Sequence, residues 1–378
     1  MELPPLGLYI HLPWCERKCP YCDFNSHESD VIPESGYIDA LLRDLREDLP
    51  LVPQRTVETL FIGGGTPSLF AAGGIAKLLR EIARLVPLAA TMEATMEANP
   101  GSAEAGKFAA FCEAGINRLS LGIQSFQDAQ LQALGRVHNA DQAHAAIDFA
   151  KAAGFDSFNI DLMHGLPGQS VTAARADLDT ALAYTPAHLS WYQLTIEPNT
   201  VFHKRPPLLP VEDALAAIQG NGERLLTSRG YGQYEVSAYS QPGFQCRHNL
   251  NYWSFGDYLG IGAGAHGKIT HTDGRIQRYA KKRQPAQYMS SSAGEFRASY
   301  RTLDQDEIPG EFMLNALRLN RGFTVSQFEN RTGLDISVVQ PQLDQLFERG
   351  LLQRSTDTIH TTDLGRRFLD SVVGEFFV

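Results

Sequence analysis

The chain holds 378 residues, with 33 Lys and Arg against 43 Asp and Glu and a formal net charge of -10. This length exceeds one ordinary domain and allows a large buried core, while the acidic balance excludes an extended nucleic-acid surface, which needs clustered cations. No uninterrupted apolar run approaches the ~20 residues of a membrane-spanning helix, although composition leaves peripheral contact with a membrane open.

The first 200 residues read as strand, loop and helix in repeated order. Short apolar strands are predicted at 6–12, 59–62, 91–98, 118–123, 157–163 and 189–196. Between them the helical period is clearest in Tyr37, Ile38, Leu41, Leu42, Leu45 and Leu49, and again in Ile75, Leu78, Leu79, Ile82 and Leu85. Strands alternating with helices imply parallel pairing through crossovers, so the expected fold class is α/β. Six units are fewer than the eight of a closed TIM barrel, which makes an open (β/α)6 partial barrel the natural reading. Segment 105–114 is predicted helical, with Cys112 as a small buried hydrophobe.

The texture changes at 202–210, a Pro-rich basic connector. A helix is predicted over 211–229, a strand over 232–239, and an aromatic, Gly-rich block over 241–267. The last part runs helix 325–331, helix 336–349, turn-rich wing 355–362 and helix 363–373, an order that resembles a winged helix. From Thr324 onward five Arg or Lys face eight Asp or Glu, which disfavours DNA and suits a packing or protein-contact module. The expected division is a core barrel over 1–200, a barrel extension over 201–305 and a small winged-helix-like C-terminal domain over 306–378.

In α/β folds of this kind the chemistry gathers where the strands end. The unusual polar residues fall there: Cys15 to Cys22 after the first strand, Gly63-Gly64-Gly65-Thr66-Pro67 after the second, and Glu97-Ala98-Asn99-Pro100 after the third. Gln124-Ser125 follow the fourth and 161–167 the fifth. Consecutive glycines remove the Cβ atoms that keep a small polar ligand from the backbone, and no Gly-Lys-Ser/Thr follows, so a nucleotide P-loop is excluded. Cys15, Cys19 and Cys22 on one short loop ask for a metal. Three thiolates on a [4Fe-4S] cluster leave one iron free for an exchangeable ligand. Zinc is the other metal reading, with His11 completing a tetrahedral set. Three cysteines cannot pair among themselves, and the start Met1-Glu2-Leu3-Pro4-Pro5 carries no export signal, so a cytoplasmic chain with reduced thiols is expected.

The C-x-x-x-C-x-x-C spacing resembles the signature of the radical S-adenosylmethionine (SAM) superfamily, and Gly63 to Pro67 resembles the element that holds the methionine end of SAM. With Leu8-Tyr9-Ile10-His11-Leu12-Pro13, Leu121-Gly122-Ile123-Gln124-Ser125 and the run 159–167, the chain resembles one subgroup almost end to end. That subgroup contains the oxygen-independent coproporphyrinogen III dehydrogenase and its relative, the haem chaperone. The resemblance implies a radical SAM partial barrel with a [4Fe-4S] cluster on Cys15, Cys19 and Cys22. It also implies a SAM site lined by Tyr9, Tyr21, Gly64, Gly65, Thr66, Glu97, Gln124, Arg136 and Asp161, with Arg136 suited to the SAM carboxylate.

The two branches differ in what they imply. The dehydrogenase motif continues to a fourth cysteine where this chain has Phe24, and the dehydrogenase carries a longer arm before its first strand. Both departures disfavour oxidative decarboxylation of coproporphyrinogen III. His248-Asn249-Leu250-Asn251-Tyr252-Trp253 resembles a motif of the chaperone branch, which implies haem contact through a loop at 246–253. His248 is then a candidate ligand to haem iron, Tyr252 and Trp253 would stack on the macrocycle, and Cys246 is expected to be a buried hydrophobe. The densest basic run, Arg275, Arg278, Lys281, Lys282 and Arg283, suits haem propionates or an anionic membrane surface. The expected function is a haem chaperone that binds haem as cargo and transfers it to an acceptor protein, served by an electron donor that the sequence does not name. The alternatives are the dehydrogenase and a radical SAM enzyme on an unrelated substrate.

Overall fold

The computed structural model describes residues 3–101, 106–155 and 157–377. Strand β1 (Leu6–Leu12) is buried on both faces, as an apolar strand inside a parallel sheet must be. Beside it β2 (Val57–Gly64), β3 (Leu88–Ala98), β4 (Arg118–Gln124), β5 (Ser157–His164) and β6 (His188–Gln193) follow in parallel, each next to the last. The crossovers are α1 (Glu34–Asp48), α2 (Ala72–Leu85), α3 (Phe108–Glu113), α4 (Ala140–Ala152) and α5 (Val171–Ala183). Ala105, where helix 105–114 was expected to begin, lies outside the described residues. The apolar stripes are the buried faces: Tyr37, Ile38, Leu41, Leu42 and Leu45 of α1, and Ile75, Leu78, Leu79 and Ile82 of α2. The fold is therefore the α/β partial barrel that the strand and helix alternation dictates.

The sheet extends beyond six strands. After α6 (Glu212–Ser228), strand β7 (Gly232–Gln233) turns into β8 (Ala238–Ser240), which pairs antiparallel with β6. The single strand expected over 232–239 is thus two pieces, because a turn closes between them through Tyr234 N–H to Ala238 O (3.1 Å). The loop expected at 246–253 is instead helix α7 (Arg247–Trp253), whose start is capped by Glu93: its carboxylate accepts from the backbone N–H of Arg247 (3.2 Å) and of His248 (3.1 Å). Next, β9 (Asp257–Ile261) lies parallel to β1 on the opposite edge, followed by antiparallel β10 (His266–Thr270), β11 (Ile276–Lys281) and β12 (Arg297–Thr302). Among the described residues these make one twelve-stranded sheet, β12-β11-β10-β9-β1-β2-β3-β4-β5-β6-β8-β7.

The basic run expected at the surface is largely internal. Lys281 is fully buried against Asp44 and, at 2.7 Å, Asp48 of α1, and Arg297 also pairs with Asp48. Burial pushes the Asp44 carboxyl up to about 6 against the pull of Lys281. Arg278 bonds Tyr258 and Glu311 and Lys282 bonds Ser291, while the exposed members are Arg275, which pairs with Asp273, and Arg283. The run therefore ties the sheet edge to its covering helices and forms no cationic face. Lys281→Ala removes the buried cation of Asp44 and leaves Asp48 with Arg297 alone, with an expected loss of about 3–5 kcal/mol in unfolding free energy. Urea denaturation checks this, and an unchanged midpoint would show that the pair is not desolvated.

The C-terminal module holds α8 (Glu307–Ala316), β13 (Phe323–Thr324), α9 (Val325–Thr332), α10 (Gln340–Glu348), β14 (Leu352–Ser355) and β15 (Thr358–Thr361). Its strands pair in the order β13-β15-β14, the wing of a winged-helix-like unit. Phe312 packs edge-on against both Phe323 and Phe328 at 5.2 Å, and Phe255 joins from the barrel side at 5.6 Å. Helix 336–349 opens as a 3-10 turn (Ile336–Val339), because Pro341 in the first turn of α10 has no N–H to continue the ladder. The last helix breaks at Phe368 into Asp363–Arg367 and Leu369–Gly374.

Candidate functional site

The loop after β1 is held by the protein itself. Trp14 and Cys15 pair in parallel with His27 and Glu28, closing residues 16–26 into a loop. Lys18 Nζ donates to Phe24 O (2.9 Å) and Ser26 O (3.3 Å), and Cys22 N donates to Cys19 O (3.1 Å). Asn25 Nδ2 donates to the carbonyls of Ala263 and Arg283, each at 2.9 Å, fixing the loop to the turn after β9. Cys15, Cys19 and Cys22 are free thiols that line one cavity. Burial raises the Cys15 and Cys22 thiols, so ionising them takes a nearby positive charge.

Among the described residues no group of three or more His, Cys, Asp or Glu side chains is gathered to hold a single metal ion. A four-iron cluster presents a separate iron to each thiolate, so its ligands surround it without converging. His11 is also engaged: its Nε2 donates to Asn25 O (2.9 Å) and its Nδ1 accepts from the Tyr9 hydroxyl (2.9 Å). Burial lowers its pKa to about 4.

The cavity measures about 470 Å³ and its remaining wall comes from strand ends. Gly64 has φ +122°, and a Cβ there would sit 2.7 Å from His11 Cε1. At Gly65 a Cβ would meet Trp14 O at 2.4 Å, so the glycine turn lies directly on the backbone that leads into Cys15. Thr66 Oγ1 accepts from Asn99 Nδ2 (3.0 Å), and Asn99 Oδ1 accepts from Arg136 Nη2 (2.6 Å). Arg136 further donates to Gly122 O (2.8 Å) and to Cys19 Sγ (3.6 Å), which brings a fixed positive charge to the thiol loop. Gln124, at φ +67°, accepts from the Tyr192 hydroxyl (2.7 Å).

The acidic wall is Glu97, which accepts from Gly64 N (3.1 Å), and Asp161, which accepts from Ser120 Oγ (2.9 Å) and Asn159 Nδ2 (2.6 Å). Burial, with the Asp161 charge beside it, pushes the Glu97 carboxyl up to about 8, and burial also raises Asp161. Arg136 lines the same cavity, so the site suits a small ligand that carries both signs. The sign of the pH effect follows. A cation in the cavity favours ionised Glu97, so its binding releases a proton wherever the empty site is protonated, below about pH 8. Affinity for a cationic ligand should then rise by up to about tenfold per pH unit toward pH 8 and level off above it. Calorimetry in buffers of different ionisation heat measures the released proton, and Glu97→Gln should abolish that release.

A profile of the Radical SAM superfamily matches residues 9–180, and a profile of the HemN C-terminal domain matches residues 303–368. The chain is 49% identical over 377 residues to the heme chaperone HemW of Escherichia coli, covering 100% of this chain and 99% of that protein. It is 33% identical over 374 residues to the heme chaperone HemW of Bacillus subtilis, with 97% and 98% covered. The chain belongs to the HemW family of radical SAM proteins. The solved structure of coproporphyrinogen III oxidase (HemN) from Escherichia coli superposes with a TM-score of 0.83 at 23% identity, covering 99% of this chain and 90% of that one, and shows the shared fold.

Within this HemW-family chain, Tyr21, Gly64, Gly65, Thr66, Glu97, Gln124, Arg136 and Asp161 meet at the cavity. Tyr9 does not line it: its ring stacks on Phe61 at 6.3 Å and its hydroxyl orients His11. His248, the expected haem-contact residue, lies in the interior. It is 1% exposed, with Nδ1 bonded to Thr59 Oγ1 (2.8 Å), Nε2 bonded to the Tyr252 hydroxyl (2.9 Å) and the ring stacked on Phe61. Both nitrogens are engaged beneath the sheet, and burial lowers its pKa to about 3, which keeps the ring neutral. Trp253 is covered by Arg318, whose guanidinium lies 4.3 Å from its ring centroid. Cys246 is buried as expected. Asn99 of the run after the third strand lines the cavity as well, and so do Ser190, Tyr192, Thr195 and Glu197, which the sequence analysis does not single out. The sixth strand ends at Gln193 rather than at 196, which frees Thr195 for the wall.

Proposed function

We propose that the chain is a haem chaperone that carries a [4Fe-4S] cluster on Cys15, Cys19 and Cys22 and binds SAM in the adjoining cavity. The observation that carries this reading is one cavity lined by three free thiols, a glycine cradle and side chains of both signs, in a chain 49% identical end to end to a heme chaperone. The donor set fits the cluster, since three cysteines and no fourth thiol line the cavity: Phe24, 61% exposed, stands on the rim instead. When bound, the cluster supplies an open iron for an exchangeable ligand and a source of single electrons.

The chain's own residues do the rest. Gly64 and Gly65 let a ligand approach the backbone, and Glu97 and Asp161 receive its cationic or hydroxyl groups. Arg136, held by Asn99 and Gly122, faces a carboxylate while it donates to Cys19. Tyr21, Met163 and Tyr192 contribute apolar and aromatic wall to the cavity. Segment 1–200 then holds the cofactor site, 201–305 completes the sheet, and 306–378 is a packing or protein-contact module. Haem passes to an acceptor protein in the cytoplasm, a compartment that suits a chain with unpaired cysteines. No described helix is long and apolar enough to cross a membrane.

The test is an anaerobic haem titration of the reconstituted protein, followed at the Soret band and paired with a coproporphyrinogen III assay under a strong reductant. Stoichiometric haem uptake without protoporphyrinogen IX is expected. Absence of any Soret change would overturn the chaperone reading, and porphyrinogen turnover would replace it with the dehydrogenase.

A further inference from the structure

Behind the cavity wall the barrel interior is polar, where parallel barrels are ordinarily filled with branched aliphatic side chains. Asp161 and Ser190 line the cavity, while Asn159 and His188, two residues before them on the same faces of β5 and β6, lie deeper and are 1% and 2% exposed. Tyr234, buried in the turn between β7 and β8, lies against His188 with ring centroids 5.6 Å apart. None of these three deeper residues lines the cavity.

Their hydrogen bonds run in one direction. Asn159 Nδ2 donates to Asp161 Oδ1 (2.6 Å) and to Ser120 Oγ (2.8 Å), and Ser120 Oγ donates to Asp161 Oδ2 (2.9 Å). With both amide hydrogens used, Asn159 Oδ1 accepts from His188 Nδ1 (2.7 Å) and from Ser190 Oγ (3.2 Å). A neutral His188 that donates from Nδ1 accepts at Nε2, and the donor there is the Tyr234 hydroxyl at 2.7 Å. The Tyr234 oxygen in turn accepts from the backbone N–H of Cys246 (3.2 Å), the residue that starts α7. Protonating His188 would cost the Tyr234 hydroxyl its acceptor, and burial lowers the His188 pKa well below its ordinary value, so the tautomer is fixed. The buried Arg118 adds its positive charge to the donors that converge on Asp161.

A satisfied polar layer holds a barrel together no better than a packed apolar one. What it adds here is orientation: both Asp161 oxygens are held, and the hold passes through Asn159, His188 and Tyr234 from the start of α7. We infer that His188 and Tyr234 are positioning residues for ligand binding at Asp161, and that they couple occupancy of the cavity to the seating of α7. A ligand that holds Asp161 orders the chain of bonds as far as the Cys246 N–H, and a chain already held from α7 presents the carboxylate in place, so each favours the other. This rests on SAM as the ligand of the cavity, as proposed above.

The experiment is equilibrium dialysis of SAM against the anaerobically reconstituted full-length protein, native and with His188→Leu, His188→Asn or Tyr234→Phe. His188→Leu removes the donor to Asn159 and should weaken SAM about tenfold, whereas His188→Asn returns an amide N–H to the Nδ1 position and should stay within about threefold of native. Urea midpoints should fall alike in the two, because both leave the Tyr234 hydroxyl without its acceptor, so a purely structural role would weaken SAM equally in both. Tyr234→Phe deletes one oxygen. It should weaken SAM about threefold and abolish the protection from hydrogen exchange that SAM gives the Cys246 amide of the native chain. Equal SAM affinity in all four proteins, a loss in His188→Asn as deep as in His188→Leu, or Cys246 exchange indifferent to SAM in the native chain would overturn the inference while the SAM site stands. A native chain that binds no SAM would overturn the SAM site itself.

Discussion

Cys19→Ser is expected to abolish cluster assembly: iron after anaerobic reconstitution should fall from about four atoms per chain to near background, together with the visible absorption of the cluster. The effect should be this large because the site has no spare thiol. Cys112 lies on α3 and Cys246 is buried near Glu93, so neither can substitute. The fold should survive, since the loop is closed by the pairing of Trp14 and Cys15 with His27 and Glu28 and by the Lys18 and Asn25 bonds, none of which uses the Cys19 thiol. Iron, sulfide and unfolding measured on the same sample separate the two outcomes. Four irons retained in Cys19→Ser would remove this thiol from the cluster, and Cys246→Ser should keep native iron content.

His248→Ala is expected to destabilise the chain by about 3 kcal/mol. Removing the ring leaves Thr59 Oγ1 and the Tyr252 hydroxyl without their partner and opens a void beside Phe61. Gly7, whose Cβ would lie 3.2 Å from the His248 ring, shows how closely β1 is laid over this imidazole. Denaturation and haem titration on the same preparation decide the matter. Native stability with lost haem uptake would mean that the ring leaves its pocket to reach the iron.

The parts of the molecule legible in the sequence are those where local chemistry dictates structure. β1 was predicted over 6–12 and is Leu6–Leu12, because an apolar strand flanked by prolines has one reading. The rule that polar residues at strand ends form the site brought Cys15, Gly65, Glu97, Gln124 and Asp161 to one cavity across more than a hundred residues. What stayed hidden was tertiary. Asp257–Ile261 is a five-residue strand with a glycine in fourth place, and its pairing with β1 and β10 defines it, while a Cβ at Gly260 would lie 1.8 Å from His266 O. Lys281 reads as a surface cation until Asp44 and Asp48 of α1, far away in sequence, close over it. The motif around His248 has a structural role that the sequence alone does not show, since its side chains pack α7 under β1 and β2.

The most direct test of the account is equilibrium dialysis of SAM against the anaerobically reconstituted protein and against the same protein without its cluster. The account predicts about one SAM per chain with the cluster in place and binding at least about tenfold weaker without it, since an open iron and the strand-end residues hold the ligand together. Equal SAM affinity in the two samples, or a full iron complement with no SAM bound, would contradict it.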